Sequence, residues 1–483
     1  MNIVFARGAA ELPRLVARIV AEGPLPEGTP ALVVEGAQAA RFAGKAGQVH
    51  EAFVAGEKGL VRLAFAGAGD LSDGDRRAGL ERAGGALAAK YLTSGEDALG
   101  IDFSGTGFSA QDVVSVLLGA RLRSWQFLTY RTRLKDEQKP SLKSVIALGA
   151  PEGTEDLWAV EVAVAKGVEF TRELVTEPAN VIYPESFVAR CQERLAGTGV
   201  EILVLDDVQM AALGMGALLG VAQGSVRKPR LLAMRWKGKE GVRPTAFVGK
   251  GVCFDTGGLD LKTAAGMALM KKDMGGAANV LGLALMIMDS RLKVDLTVIV
   301  PVVENAVAGN AFRPGDIYRS RKGLTVQIDN TDAEGRLILA DALAYADEAT
   351  PDLLIDMATL TGAARVALGP DLPPFFTDDE ALASGIADAA RTVEDPLWRL
   401  PLYRGYDKNL STRIADLTNA PAGGMAGAIT AALFLRRFVS NAKSWAHFDI
   451  YGWAPADRAH GPLGGEAQAI RALFHHVEAG FAG

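Results

Sequence analysis

Between residues 31 and 148, short β-branched runs alternate with longer stretches whose apolar residues recur every three or four positions. The runs Ala31–Val34, Leu60–Phe65, Leu99–Phe103 and Lys143–Leu148 read as strands, and Asp75–Tyr91 and Ala110–Phe127 as helices with one apolar face. The charged stretch from Arg131 to Pro140 reads as an exposed loop. From Asp156 to Leu174 the helical period is unbroken, and Thr154 stands where an N-cap would, behind the turn that starts at Pro151. A second alternation follows. Its strands are expected at Ile202–Leu205, Leu231–Trp236, Thr245–Phe254, Leu296–Val302, Leu324–Ile328, Leu353–Met357 and Ala446–Ile450, and its helices at Ser186–Leu195, Gly275–Asp289, Gly335–Glu348 and Ala428–Val439. This pattern predicts an α/β fold with two domains, each a mixed or mostly parallel sheet flanked by helices. The expected boundaries are 1–150 for the first domain, 151–176 for a connecting helix and 177–483 for a larger second domain.

Composition agrees with this layout. The 483 residues are about three times the ~150-residue prior for one domain, and 49% hydrophobic with 22% charged residues is an ordinary globular balance. The 55 glycines exceed the usual ~7% without any Gly-X-Y period, so they point to tight turns and close backbone approaches. A formal charge of −6 gives no sign of a basic nucleic-acid footprint. The most apolar windows, such as Ala277–Met288, fall short of the ~18 residues of a spanning helix. Arg7 and Glu11 interrupt the first apolar stretch, unlike a signal peptide. A soluble, cytoplasmic protein with no membrane partner is therefore expected.

Two cysteines, Cys191 and Cys253, and five histidines without a His-Glu-x-x-His pattern leave no thiolate or imidazole cluster. Any metal would be held mostly by carboxylates. The densest chemistry lies between Gly249 and Gly276, where Lys250 and Asp255 flank the end of an apolar strand, Lys262 follows a glycine turn, and Asp273 opens a helix start. In open α/β sheets, sites form at the carboxyl ends of strands. A lysine beside an aspartate is ordinarily a salt bridge, and taken alone this pair is read that way. The second cluster changes the balance. Asp332, Glu334 and Arg336 alternate directly after the Leu324–Ile328 strand, and in extended chain alternate residues project to one side. Asp255, Asp273, Asp332 and Glu334 cannot share a buried pocket without compensating cations. Two divalent metals would supply them, with Lys250 as an unusual amine ligand; oxygen and amine ligation leaves zinc, manganese and magnesium open. Lys262 and Arg336 would then stay free to meet an anionic intermediate. Gly214, Gly216 and Gly220 have the wrong spacing for a dinucleotide loop and read as turn or packing positions, and Cys253 reads as a small buried hydrophobe.

Four segments carry a resemblance. They are Val248-Gly-Lys-Gly-Val-Cys-Phe-Asp-Thr-Gly-Gly258, Asp273-Met-Gly-Gly-Ala-Ala278, Asn330-Thr-Asp-Ala-Glu-Gly-Arg-Leu337 and Asp356-Met-Ala-Thr-Leu-Thr-Gly-Ala363. Together they resemble the leucine aminopeptidases, the cytosolic dinuclear-metal aminopeptidases, from about Glu177 to Ile450. The resemblance implies a homohexamer whose active sites, on the C-terminal domain, face an internal cavity, and an N-terminal domain devoted to assembly or shielding. It implies one metal on Lys250, Asp255, Asp273 and Glu334 and a second on Asp255, Asp332 and Glu334. Lys262 would stabilise the oxyanion, and Arg336 would hold a bicarbonate ion as general base. The substrate's α-amine would meet a metal and Asp273, restricting cleavage to the first residue. Met270, Asn330, Thr359, Leu360 and Gly362 match positions that line the family's substrate pocket. Two departures stand out. Tyr451-Gly-Trp453 replaces a small residue after Trp445–Ile450 and would reshape the pocket, putting the leucine preference in question, and Gly464–Ile470 strays from the family's small-residue pattern.

The expected function is a leucyl-type metallo-aminopeptidase acting on peptides with a free N-terminus, with two divalent ions per subunit, Zn2+ or Mn2+ with Mg2+ also open. The alternatives are a structural or DNA-binding regulatory hexamer, which the acidic balance weakens, and a narrower dipeptidase of the cysteinylglycine type.

Overall fold

The strands of the first compact unit, Met1–Ala165 with Ala456–Leu463, are β1 (Asn2–Phe5), β2 (Leu15–Val20), β3 (Val49–Gly56), β4 (Gly59–Gly67), β5 (Ala98–Asp102) and β6 (Ser144–Leu148). The computed structural model describes residues 1–6, 13–56, 59–72, 74–238 and 243–480, so Arg7 and Glu11 lie outside it. The sheet order is β1-β6-β5-β2-β4-β3, parallel throughout except for β3, which runs antiparallel to β4 at one edge. Leu15, Ala17 and Ile19 alternate into the core along β2, while Arg18 turns out to an ion pair with Asp102 at 2.6 Å. That arginine breaks the apolar run, which hides the strand from a reading of the sequence. The expected strand at Ala31–Val34 is instead the start of a helix, Ala31–Ala39. Its buried residues, Val33 and Ala37, are four apart, a helical spacing that a four-residue window cannot display. Helices Arg76–Tyr91 and Ala110–Ser124 lie against each other at backbone distance. A Cβ on Gly84 would strike the Val116 carbonyl, and one on Gly119 the Glu81 carbonyl, so part of the glycine surplus serves this contact.

The helix Thr154–Thr176 carries the chain onward. Thr154 is not its N-cap: the helix already includes it, and its hydroxyl donates to the Pro151 carbonyl at 2.6 Å. The second unit comprises Lys166–Pro455 and Gly464–Gly483. Its strands are β7 (Glu201–Leu205), β8 (Arg230–Lys237), β9 (Pro244–Gly249), β10 (Gly251–Asp255), β11 (Asp295–Asn305), β12 (Ile317–Arg319), β13 (Thr325–Gln327), β14 (Leu353–Ala358), β15 (Pro374–Phe376), β16 (Trp398–Arg399), β17 (Leu417–Thr418) and β18 (Ser444–Asp449). The large sheet runs β16-β15-β18-β14-β9-β11-β8-β7, with β10 also paired to β11, while β12, β13 and β17 form a small sheet of their own. Its centre, β18-β14-β9-β11, is parallel; β15, β8 and β7 add antiparallel pairings outside it. Both faces are covered. Ala246 and Val248 of β9 share a core with Leu337, Ile338 and Leu343 of the helix Gly335–Asp347, whereas a Cβ on Gly249 would meet Ala277 and Val280 of the helix Gly275–Asp289. Gly275–Asp289 is buried on all sides through Met288, as a run whose one polar residue before Asp289 is Asn279 predicts.

The expected strand Thr245–Phe254 is interrupted at Lys250. Its N–H donates to the Met357 carbonyl of β14 and its own carbonyl accepts from Ala277, so the backbone is held between a strand and a helix start. Strands β9, β14 and β18 end level with one another, β10 and β11 run farther and end together at Asp255 and Asn305, and these carboxyl ends carry Lys250, Asp255, Asn305, Thr359 and Asp449.

Candidate metal centre

Four short segments deliver charged side chains to that edge. Lys250 comes from the break between β9 and β10, Asp255 from the end of β10, Asp273 from the tight turn Met270–Met274, and Glu334 from the residue that starts the helix Gly335–Asp347. One carboxylate oxygen from each of Asp255, Asp273 and Glu334 lies within 4.8 Å of the others. Lys250 Nζ stands 2.7 Å from Asp273 Oδ2 and 2.9 Å from Glu334 Oε1, and donates to the Thr359 carbonyl at 3.0 Å. Gly335 allows this approach, because a Cβ there would sit 2.6 Å from Lys250 Cε. Lys262 Nζ is 2.8 Å from Asp255 Oδ2 and also pairs with Asp332, whose side chain is one-third exposed at 33%.

Two residues the sequence did not single out, Asn305 and Asp449, help to hold this arrangement. Asn305, closing β11, donates from Nδ2 to Asp255 Oδ1 at 2.8 Å and to the Thr331 carbonyl at 3.0 Å. The Gly257 N–H donates to the same Asp255 oxygen, and the Thr359 hydroxyl donates to Asp273 Oδ1 at 2.9 Å. Asp449, at the end of β18, accepts from Leu360 N, Thr361 N and the Thr361 hydroxyl and so fixes the loop after β14. The positions of Asn305 and Asp449 at parallel strand ends were the available signal; as lone residues far from the motifs they gave no other.

Electrostatically the cluster is overfilled with negative charge. Among the described residues, Asp255, Asp273, Asp332 and Glu334 form direct ion pairs with two ammonium groups, those of Lys250 and Lys262. Burial, then repulsion from Asp255, pushes the Asp332 and Glu334 carboxyls above their ordinary range, and burial does the same to Asp273 against the pull of Lys250. Burial disfavours the Lys250 ammonium, but Asp273, Glu334 and Asp255 outweigh it and hold its pKa above the usual lysine value. Among the described residues, Asp273 Oδ2, Asp332 Oδ1 and Glu334 Oε1 are buried oxygens with no hydrogen-bond partner beyond these ion-paired lysines. Unsatisfied oxygens converging with surplus negative charge fit hard or borderline divalent cations.

Arg336 is not paired with the cluster. Its Nη1 donates to the Asn419 carbonyl at 2.6 Å, burial pulls its pKa down to about 10, and among the described residues its buried Nε has no partner. That free donor is suited to an anion.

A cavity of about 520 Å³ is lined by all twelve residues singled out from the sequence: Lys250, Asp255, Lys262, Met270, Asp273, Asn330, Asp332, Glu334, Arg336, Thr359, Leu360 and Gly362. Asp332, Glu334 and Arg336 reach the cavity by a route other than the expected alternation. They do not alternate along extended chain; Asp332 lies in a turn, Glu334 has helical φ and ψ of −74° and −36°, and Arg336 is already in the helix. A turn running into a helix N-terminus brings them together instead. The expectation that Lys262 is a free cation also changes, since it is ion-paired on both sides. Of the two unusual aromatics, Tyr451 lines the cavity, whereas Trp453 is buried in a short pairing with Gly465 and does not. The glycines Gly214, Gly216 and Gly220 serve turn and packing: Gly214 has φ +72°, a Cβ on Gly216 would strike the Arg319 carbonyl, and one on Gly220 would meet the Tyr318 ring.

Comparison with known proteins gives a consistent picture. The model of the cytosol aminopeptidase family, catalytic domain, matches residues 169–474. A probable cytosol aminopeptidase of Rhizobium johnstonii is 44% identical over 428 residues, covering 88% of this chain and 86% of the relative. The crystal structure of the cytosol aminopeptidase from Coxiella burnetii superposes with a TM-score of 0.86 at 36% identity, covering 99% of both chains. The bottromycin maturation enzyme BotP in complex with Mn superposes with a TM-score of 0.87 at 30% identity, covering 97% of this chain and 99% of that one.

Proposed function

The chain belongs to the cytosol aminopeptidase family, and from that premise we propose that its carboxylate and lysine cluster removes the first residue from peptides with a free N-terminus. The observation that carries the proposal is the convergence of Asp255, Asp273 and Glu334 within 4.8 Å beside Lys250, three carboxylates that among the described residues are directly ion-paired to two lysines, Lys250 and Lys262. Lys250, Asp255, Asp273, Asp332 and Glu334 would hold two divalent ions, Zn2+ or Mn2+ with Mg2+ also open; bound there, such ions acidify a water and polarise a carbonyl.

The chain's own residues supply the rest. Asp273 lines the cavity with Oδ1 held by Thr359 and Oδ2 paired to Lys250 at 2.7 Å, and this carboxylate would receive the substrate's α-ammonium. A peptide blocked at that amine would lose this contact. Lys262 reaches the cavity on a flexible four-carbon stem, and its ammonium would donate to the scissile carbonyl oxygen as charge develops there. Arg336, with its unpartnered Nε, would hold a bicarbonate ion that takes the proton from the attacking water. Met270, Asn330, Thr359, Leu360 and Gly362 would line the groove for the first residues of the peptide.

The proposal includes a cytoplasmic homohexamer, with residues 1–150 serving assembly or shielding. Support comes from the family resemblance, and among the described residues no helix is long and apolar enough to cross a membrane. Light scattering tests the assembly: the mass of six chains is expected, and a monomer at assay concentration counts against it.

Mass spectrometry of a peptide panel tests the reaction. Free amino acid should leave unblocked peptides stepwise from the N-terminus, N-acetylated twins should stay intact, and Glu334→Ala should lower kcat by at least about a thousandfold in a protein that still folds. If blocked and unblocked peptides are cut alike, the reading is wrong.

A further inference from the structure

Beside the carboxylates the cavity carries two cations that the proposed reaction does not use. Lys272, one residue before Asp273, lines the cavity and is only 5% exposed. Its Nζ lies 4.5 Å from the centre of the Tyr451 ring. Arg365, on the helix Gly362–Leu368, also lines the cavity, with its guanidinium carbon 5.6 Å from the same ring. Among the described residues neither side chain forms an ion pair. The nearest carboxylates are already engaged. Asp273 meets Lys250 at 2.7 Å and the Thr359 hydroxyl, and Asp449 accepts three donors from Leu360 and Thr361.

A buried ammonium without an ionic partner is costly, and an aromatic face recovers only part of what water supplied. The cost makes sense if an anion arrives. Two converging cations, one of them a planar fork, match a carboxylate in charge and in shape. The Tyr451 ring between them holds both side chains toward the cavity, where a small residue would leave them free to turn away.

We propose that Lys272 and Arg365, braced by Tyr451, form a subsite for a substrate carboxylate, foremost the side chain of an Asp or Glu at the first position of the peptide. This rests on the aminopeptidase reading, because Lys272 adjoins Asp273, where the α-ammonium would be received. The first side chain therefore starts next to Lys272. A carboxylate could also come from the free C-terminus of a dipeptide, so the test separates the two sources.

The experiment measures kcat/KM of the Mn2+-loaded protein on Glu-Ala-Ala-amide, Gln-Ala-Ala-amide and Leu-Ala-Ala-amide, and on Leu-Ala against Leu-Ala-amide. Lys272→Met, Lys272→Arg and Arg365→Gln are measured in parallel. Glu should exceed both Gln and Leu by about tenfold or more. Lys272→Met should cut the Glu-to-Gln ratio by about tenfold or more, mainly through KM; Lys272→Arg should preserve most of it, and Arg365→Gln should cut it several-fold. A ratio taken within one protein is insensitive to the fraction folded, and Arg365 is exposed, so a folding defect at Lys272 does not decide the result. If the Leu-Ala to Leu-Ala-amide ratio collapses instead, the subsite stands with the C-terminus as its ligand. If neither ratio changes by more than about twofold in any variant, the subsite is refuted while the aminopeptidase reading survives. No cleavage of any peptide by the unmodified protein removes both.

Discussion

Deleting one negative charge from a crowded carboxylate cluster relieves repulsion, whereas deleting a metal ligand forfeits binding energy, and Glu334 is placed to show both. Lys250 keeps its 2.7 Å contact with Asp273 when Glu334 is neutralised, so no buried charge is stranded. Glu334→Gln should therefore leave the metal-free protein as stable as before or more so. Stabilisation by Mn2+, about 2.7 kcal/mol at a hundred times Kd for an intact site, should shrink by at least half. Thermal melts with and without Mn2+ check this; a metal-free loss of about 3 kcal/mol or more would mark Glu334 as a structural ion-pair partner instead. At this scale much of the site was legible in the sequence, because Lys250, Asp255, Asp273, Asp332 and Glu334 sit in two short segments beside predicted strand ends. Asn305, Lys272, Arg365 and Asp449 were not. Each is a single common residue whose role depends on neighbours distant in sequence, and no local spacing marks it.

The helix Ala110–Ser124 shows how much a short polar motif does for an element. The Ser109 hydroxyl accepts from the Asp112 N–H at 3.2 Å, Asp112 Oδ2 accepts from the Ser109 N–H at 2.9 Å, and Arg76 grips both Asp112 oxygens at 2.7 and 2.9 Å. Burial opposes ionisation of Asp112, yet the Arg76 and Ser109 hydrogen bonds outweigh it and hold the carboxyl below its usual range. A depressed carboxyl contributes stability that is complete above its unfolded value of about 3.9 and is lost as pH falls through its lower folded value. Protection of this helix's amides from exchange, taken relative to the intrinsic rate at each pH, should thus fall below about pH 4, and Asp112→Asn should flatten that dependence. Ser109→Ala should cost the helix about 1 kcal/mol. An unchanged acid dependence in Asp112→Asn would show that the pair contributes nothing. This helix and Arg76–Tyr91 were read from sequence, although the amphipathic helices Glu380–Val393 and Ile470–Gly480 were passed over. Short elements were misread as well: β2 is masked by Arg18, Ala31–Val34 is too brief to show its period, and the run Thr245–Phe254 gives no sign of the break at Lys250, which tertiary hydrogen bonds to Met357 and Ala277 create.

At the scale of the molecule the α/β class follows from alternation, but sheet order does not, because pairing joins strands far apart in sequence. The antiparallel places of β7, β8 and β15, and the return of Ala456–Leu463 to the first unit, carry no local signature. What the whole sheet accomplishes is to end its parallel strands at one edge, so that side chains from Lys250 to Asp449 meet around a single cavity. The proposed function makes this edge a two-metal hydrolytic centre working on free N-termini. Its most direct test is the rate of Glu-Ala-Ala-amide and Leu-Ala-Ala-amide hydrolysis as Mn2+ is titrated into protein stripped with a chelator. The predicted result is no release of the first residue at the start, a rise in rate with added ion, and saturation at two equivalents per chain. Full activity in the stripped protein, or none at saturating metal with either peptide, would contradict it.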